Sequence, residues 1–115
     1  MKLCIKFLII MMSCSVYAEQ LTQEKYDALL NQNMQTIRNT KVILDSEQST
    51  ATSSEQSKAL CDRIMAYERI KEASEQNQHL ENASMMLIAA NFYLDRQSKS
   101  LDNSNFSRSI FCRSK

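Results

Sequence analysis

The sequence predicts an all-α fold, a small helical bundle of three main helices plus a short C-terminal helix, stapled by one disulfide. The 115-residue chain contains no glycine and no proline, the residues on which most hairpin turns depend. Its apolar side chains recur at helical spacing in long segments. Stretches rich in Ser, Thr, Asn and Gln separate these segments. The missing glycines also exclude glycine-rich phosphate loops, dinucleotide-binding turns and nucleophile elbows.

The first eighteen residues have the features of a secretory signal peptide. Lys2 and Lys6 stand at the start of a short apolar run that ends at Met12, and residues 16–18 (Val-Tyr-Ala) form a small-residue cleavage site. The run is shorter than the about 20 apolar residues that a membrane span needs. We therefore expect cleavage after Ala18, which leaves a single helical domain at 19–115.

A lipoprotein signal is the alternative interpretation of this segment. Residues 11–14 (Met-Met-Ser-Cys) have a serine before Cys14, which would then become the lipidated first residue of the mature chain. The two methionines fit such a box poorly, and the better cleavage site lies four residues downstream. Simple cleavage is favoured, and either route predicts export across the inner membrane, with the bacterial periplasm as the expected location.

The first helix is predicted at about residues 22–45. Thr22 is a good N-cap, and Leu21 can pack against Tyr26 across the helix start. A single stripe of apolar residues follows at helical spacing: Tyr26, Leu30, Met34, Ile37 and Leu44. The next twelve residues, 46–57 (SEQSTATSSEQS), contain no large apolar side chain and predict a flexible linker.

Two further helices are predicted at about 54–78 and 83–101. Ser53 and Gln56 form an expected capping box for the first of them, and Asn82 is an expected cap for the second. The segment after Asn82 opens with ASMMLIAANFYL, which is apolar nearly all round and therefore predicts the central helix of the bundle. The polar break between them does not forbid one continuous helix. A short helix is predicted at about 105–112.

Signal cleavage removes two of the four cysteines and leaves Cys61 and Cys112. An even number of cysteines in an exported protein predicts a disulfide. The bond would close a loop of 52 residues, both ends counted, and would stabilise the fold by roughly 4 kcal/mol on the chain-entropy model.

Catalytic and metal-binding chemistry is sparse. His79 is the single histidine, and Glu75 lies one helical turn before it, a spacing suited to two metal ligands or to a base and its orienting group. No further histidine or cysteine is near enough in sequence to complete either site, so a surface histidine is favoured. We predict no catalytic, cofactor-binding or metal-binding residue, and no enzyme.

The charge balance gives little support to nucleic acid or a lipid surface as partner. Cleavage removes Lys2 and Lys6 and no acidic residue, so the formal net charge of +1 becomes −1. The charges are mixed along the chain, without the basic patch that nucleic-acid or anionic-membrane binding needs.

The sequence thus favours a small exported, non-enzymatic protein that binds another protein, as an inhibitor, immunity factor or chaperone-like module. The first helix, on its linker, could also exchange between two copies. The alternative is a carrier of a small apolar ligand or lipid, with Met85 and Met86 lining an adaptable groove. Methionines at helical spacing are more often core residues, which favours the protein-binding hypothesis.

Export makes a direct prediction about the mature N-terminus. N-terminal sequencing of the protein recovered from the periplasm should begin at Glu19. A chain that begins at a lipid-modified Cys14 would identify the lipoprotein alternative, and an intact Met1 would contradict both.

Overall fold

The computed structural model describes residues 20–103 and Cys112. These residues form three helices and no strand: α1 (Gln23–Leu44), α2 (Ser53–Gln76) and α3 (Ala83–Asn103). The predicted all-α fold with three main helices is confirmed. Successive helices run antiparallel, and α2 packs against both α1 and α3.

Helix α1 lies within one residue of its predicted bounds. The Thr22 hydroxyl accepts a hydrogen bond from the Lys25 backbone N–H at 3.2 Å, as expected of an N-cap. At the other end, the backbone N–H of Asp45 donates to the Lys41 carbonyl at 2.9 Å. The predicted stripe faces the bundle, with Tyr26 and Ile37 buried.

Helix α2 begins earlier than predicted, and the expected capping box of Ser53 and Gln56 is wrong by one residue. Thr52 is the N-cap: its hydroxyl accepts from the Glu55 N–H at 3.1 Å, and the Glu55 carboxylate accepts from the Thr52 N–H at 2.8 Å. A carboxylate is the stronger acceptor and is stabilised by the helix dipole, which explains the preference for Glu55. The predicted linker at 46–57 therefore shortens to the eight residues 45–52.

A break at residues 77–82 separates α2 from α3, so the two segments are not one continuous helix. Asn82 has a left-handed backbone with φ of 72°, a conformation that asparagine adopts more readily than most residues. An N-cap residue usually has an extended backbone, so Asn82 occupies the predicted position directly before α3 with an unusual backbone conformation. Its carbonyl accepts the Met86 N–H at 2.8 Å.

The central helix is α2, and the prediction that the apolar run at 83–94 forms the central helix is wrong. Three alanines of α2 are buried, Ala59, Ala66 and Ala73, and small side chains let neighbouring helices approach closely. Helix α3 contributes its own Ala83 and Ala90 to the core. Only one side of α3 meets α2, so part of its apolar surface remains outside.

Two hydrophobic clusters form the core. The middle cluster contains buried residues from all three helices: Ile37, Ala66, Ile70 and Ala90. The turn-end cluster lies beside the α2–α3 break and contains Tyr26, Ala73 and Ala83, with Leu21 and Leu80 packed against it. The expected contact of Leu21 with the start of α1 is thereby confirmed.

The structure joins Cys61 of α2 to Cys112 by a disulfide, with their Cα atoms 5.1 Å apart, as predicted. The other terminal predictions fall outside the described residues. These are the signal peptide at 1–18 with its cleavage after Ala18, the alternative lipidation at Cys14, and the short helix at 105–112 apart from Cys112 itself.

Buried polar side chains fasten α1 to the α2–α3 break. The Asn77 side chain accepts a hydrogen bond from the Leu21 N–H at 2.9 Å and donates one to the Ala73 carbonyl at 2.8 Å. Nearby, the Tyr26 and Ser74 hydroxyls are hydrogen-bonded at 2.6 Å, and both residues are fully buried. Since buried polar groups are costly when unpaired, these bonds fix the register of α1 on α2.

Replacement of Asn77 tests this arrangement. We expect Asn77→Ala to lower the free energy of unfolding by about 2 kcal/mol, because the part-buried Leu21 N–H and the buried Ala73 carbonyl lose their partner. Urea unfolding followed by circular dichroism measures the change. Gln78→Ala, at an exposed position of the same turn, should cost less than about 0.5 kcal/mol. Equal losses for the two variants would contradict the assigned role of Asn77.

Candidate functional site

An apolar stripe on the outer side of α3 is the most conspicuous surface feature. Met85 is 61% exposed, Ile88 70% and Phe92 64%. They occupy positions i, i+3 and i+7, and Ala89, also exposed, occupies i+4, so all four lie on one face of the helix. We call these four residues the α3 stripe.

A cation stands at the C-terminal end of the α3 stripe. Arg96 follows Phe92 by one helical turn, and its guanidinium carbon lies 5.6 Å from the centre of the Phe92 ring, within cation–π range. The neighbouring Asp95 forms an ion pair with Lys99, with 3.2 Å between the carboxylate oxygen and the lysine Nζ. Among the described residues Arg96 has no carboxylate within ion-pair distance.

A cavity of about 410 Å³ adjoins the α3 stripe, between α2 and α3. Its lining is aromatic and carries one cation and no carboxylate among the described residues: Tyr67, Ala89, Phe92, Tyr93, Arg96, Gln97 and Ser100. The Tyr67 and Tyr93 rings are stacked, with centroids 4.1 Å apart and planes inclined by 20°. The stacked pair joins α2 to α3 at this part of the surface.

Arg63 of α2 supports the aromatic pair from the side of α1. Its Nε donates to the Thr40 hydroxyl at 2.8 Å, and its guanidinium bonds the Asp45 carboxylate, the shorter N–O distance being 3.0 Å. The Tyr93 hydroxyl is buried near this guanidinium, but the geometry does not complete a hydrogen bond. Burial raises the pKa of Tyr93 above its ordinary value of 10.0, and the positive charge of Arg63 opposes the rise.

A second cavity, of about 330 Å³, lies farther along the α2–α3 interface. Ile64, Leu94 and Leu101 provide apolar walls, and Lys71 and Asp102 stand among the polar lining residues. Its mixed charges distinguish it from the aromatic cavity.

The residues that the sequence singled out for metal or acid–base chemistry do not come together as a site. His79 and Glu75 are both exposed at the end of α2 and in the following turn. Within residues 20–103 and Cys112, no three histidine, cysteine, aspartate or glutamate side chains form a group that could hold a metal ion. No helix in the same part of the chain has the length and apolar character to cross a membrane.

The methionines separate into two environments. Met34 and Met86 pack against the middle core cluster, whereas Met85 is exposed on the α3 stripe. Sequence reasoning emphasised Met85 and Met86 and missed Ile88, Phe92 and Arg96. The signal that would have found them is the width of the apolar run: a helix that is apolar on every side, in a bundle of three, cannot bury every side.

Comparison with protein-family models, with curated proteins and with solved structures finds no match to this chain.

The raised pKa of Tyr93 predicts a pH-dependent loss of stability. Because folding favours the neutral phenol, its contribution is fully present below about pH 10 and is lost as the pH rises through the folded-state pKa. We expect the free energy of unfolding to fall less steeply above pH 10 in Tyr93→Phe than in the wild type. Chemical unfolding at pH 8, 9, 10 and 11 measures both slopes. Identical slopes would show that Tyr93 titrates normally.

Proposed function

We propose that this protein is a small exported, non-enzymatic interaction module that binds another protein through the α3 stripe. The observation that carries the proposal is the exposure of Met85, Ile88 and Phe92 on one face of a well-packed helix. Anchors at i, i+3, i+4 and i+7 are the pattern by which amphipathic helices bind hydrophobic grooves. An inhibitor, immunity or chaperone-like role in the bacterial periplasm or at the cell surface is consistent with this pattern.

The size of the α3 stripe indicates a concave partner. Its side chains present on the order of 350 Å² of apolar surface. Two copies packed stripe to stripe would bury about 700 Å² in total, well below the ~1,200 Å² at the lower end of stable interfaces. A groove surrounds the same side chains with walls as well as a floor, and so buries more area for each anchor.

The fold prepares α3 for binding. Helix α3 is held against α2 by the Tyr67–Tyr93 stack and by its buried alanines, Ala83 and Ala90. An isolated peptide of this length would lose considerable conformational entropy when it folds on a partner, whereas α3 is already helical. The favourable free energy of the anchor contacts is therefore not offset by the entropy cost of forming the helix. Exchange of α1 between two copies stays a separate prediction, which this proposal does not require.

Carriage of a small apolar ligand is the second candidate function. The 330 Å³ cavity with its apolar walls of Ile64, Leu94 and Leu101 favours it, and a volume of this order matches the lower end of small-molecule sites. Native mass spectrometry of protein purified without detergent separates the two hypotheses. A stoichiometric bound lipid or small molecule supports carriage, and its absence argues against it.

Substitution in the middle of the stripe tests the principal proposal. A photo-crosslinking amino acid at position 88 should capture one partner in the producing cell, and the same amino acid at exposed Asn31 of α1 should not. With that partner purified, Ile88→Asp should weaken binding at least about 100-fold, since a carboxylate would enter an apolar groove. The variant should keep its helicity and thermal stability, because Ile88 is exposed.

Three results would overturn the proposal. The first is equal crosslinking from positions 88 and 31, and the second is unchanged affinity of Ile88→Asp for the captured protein. The third is a crosslinked product that consists of two copies of this chain, which would identify the stripe as a dimer interface.

A further inference from the structure

We propose that the aromatic cavity beside the α3 stripe is a specificity pocket that accepts an aromatic side chain flanked by carboxylates on the partner protein. This inference deepens the proposed function, on which it rests, by naming the chemistry that the partner presents. The side chains of the α3 stripe would insert into the partner, and the cavity would accept a side chain of the partner.

The shape and lining of the cavity select an aromatic occupant. Its volume of about 410 Å³ holds a large side chain with part of its backbone, and Tyr67, Tyr93 and Phe92 contribute three aromatic rings. Aromatic pairs associate favourably in stacked and edge-to-face arrangements beyond the contribution of buried area. Since the Tyr67–Tyr93 stack is held between α2 and α3, the recess does not have to form on binding.

The charge of the lining selects acidic neighbours. Arg96 is the one ionic group among the lining residues that the structure describes, and none of the described residues places a carboxylate within ion-pair distance of it. Its guanidinium lies over the ring of Phe92, and both residues line the cavity, so it can meet a carboxylate of an occupant bidentately. A lysine or arginine beside the partner's aromatic residue would be repelled at the same place.

Other charges near Arg96 are already satisfied within the chain. Asp95 pairs with Lys99, and Asp45 pairs with Arg63 behind the aromatic stack. Of these charged residues, all within the described part of the chain, Arg96 is the one without an ion-pair partner, and its positive charge favours an acidic segment over a neutral or basic one.

Short peptides with a central tryptophan test the inference directly. The chain contains no tryptophan, so emission excited at wavelengths beyond the tyrosine absorption band comes from the peptide alone. We use three capped peptides, Glu-Glu-Trp-Glu, Gln-Gln-Trp-Gln and Lys-Lys-Trp-Lys, and follow emission shift and anisotropy against the full-length mature protein. The acidic peptide should bind about threefold to fivefold more tightly than the neutral one at low salt, and the basic peptide should bind most weakly.

Matched variants locate the binding. Arg96→Gln should remove the preference for the acidic peptide, whereas Arg69→Gln, at an exposed cation of α2, should keep it. Ala89→Leu fills the cavity from an exposed helical position and should abolish binding of all three peptides, with unchanged circular dichroism. Ile88→Asp lies on the stripe and does not line the cavity, so the tryptophan should still bind.

The outcomes separate this inference from the proposed function. Equal binding of acidic and basic peptides, full binding by Ala89→Leu, or no binding of the acidic peptide at millimolar concentration would each overturn the pocket. If the pocket fails while Ile88→Asp still abolishes partner binding, the stripe remains the interaction surface. If the peptide binds but position 88 captures no partner, the pocket stands and the proposed function of the stripe falls.

Discussion

The packing of this bundle depends on a few buried hydrogen bonds at the end where α2 turns into α3. The side chain of Asn77 joins the backbone ahead of α1 to the last turn of α2, and the bond from Tyr26 to Ser74 lies one turn away. With no glycine or proline available, this chain stops a helix with a side chain that replaces the missing backbone bonds. The same side chain holds α1 in register, so the break and the docking of α1 form one unit.

The choice of α2 as the central helix has a consequence for the surface. Buried alanines along α2 allow α1 and α3 to approach it closely, and α3 also contributes buried alanines to its contact with α2. Contacts of this kind bury backbone and methyl groups, while Met85, Ile88 and Phe92 remain exposed on the outer face of α3. An exposed stripe in a protein of this size costs solubility, which is a reason to expect a partner that covers it. The aromatic stack then holds α3 against α2, while the outer face of α3 stays exposed.

The candidate site was only partly predictable. The apolar run at 83–94 is evident in the sequence, but it predicts an interior helix because an all-round apolar helix is usually buried. With three helices there is not enough neighbouring surface to enclose it. The pairing of Arg96 with Phe92 follows from their spacing of one turn, whereas the cavity beside them depends on the approach of Tyr67 from α2, for which no local pattern gives a signal. Likewise, Thr52 replaces Ser53 as the cap because the choice depends on which acceptor, Glu55 or Gln56, bonds the N-cap backbone.

The sequence by itself determined the all-α class, the three helices to within two residues at their ends, the cap at Thr22 and the pairing of Cys61 with Cys112. These follow from local energetics: helical periodicity, capping bonds and the even number of cysteines in the expected mature chain. Only the tertiary structure decided that α2 is central, that Met86 is inside while Met85 is outside, and that an aromatic recess adjoins the stripe. Those outcomes depend on which helix faces meet, and side-chain volumes on separate helices decide that together.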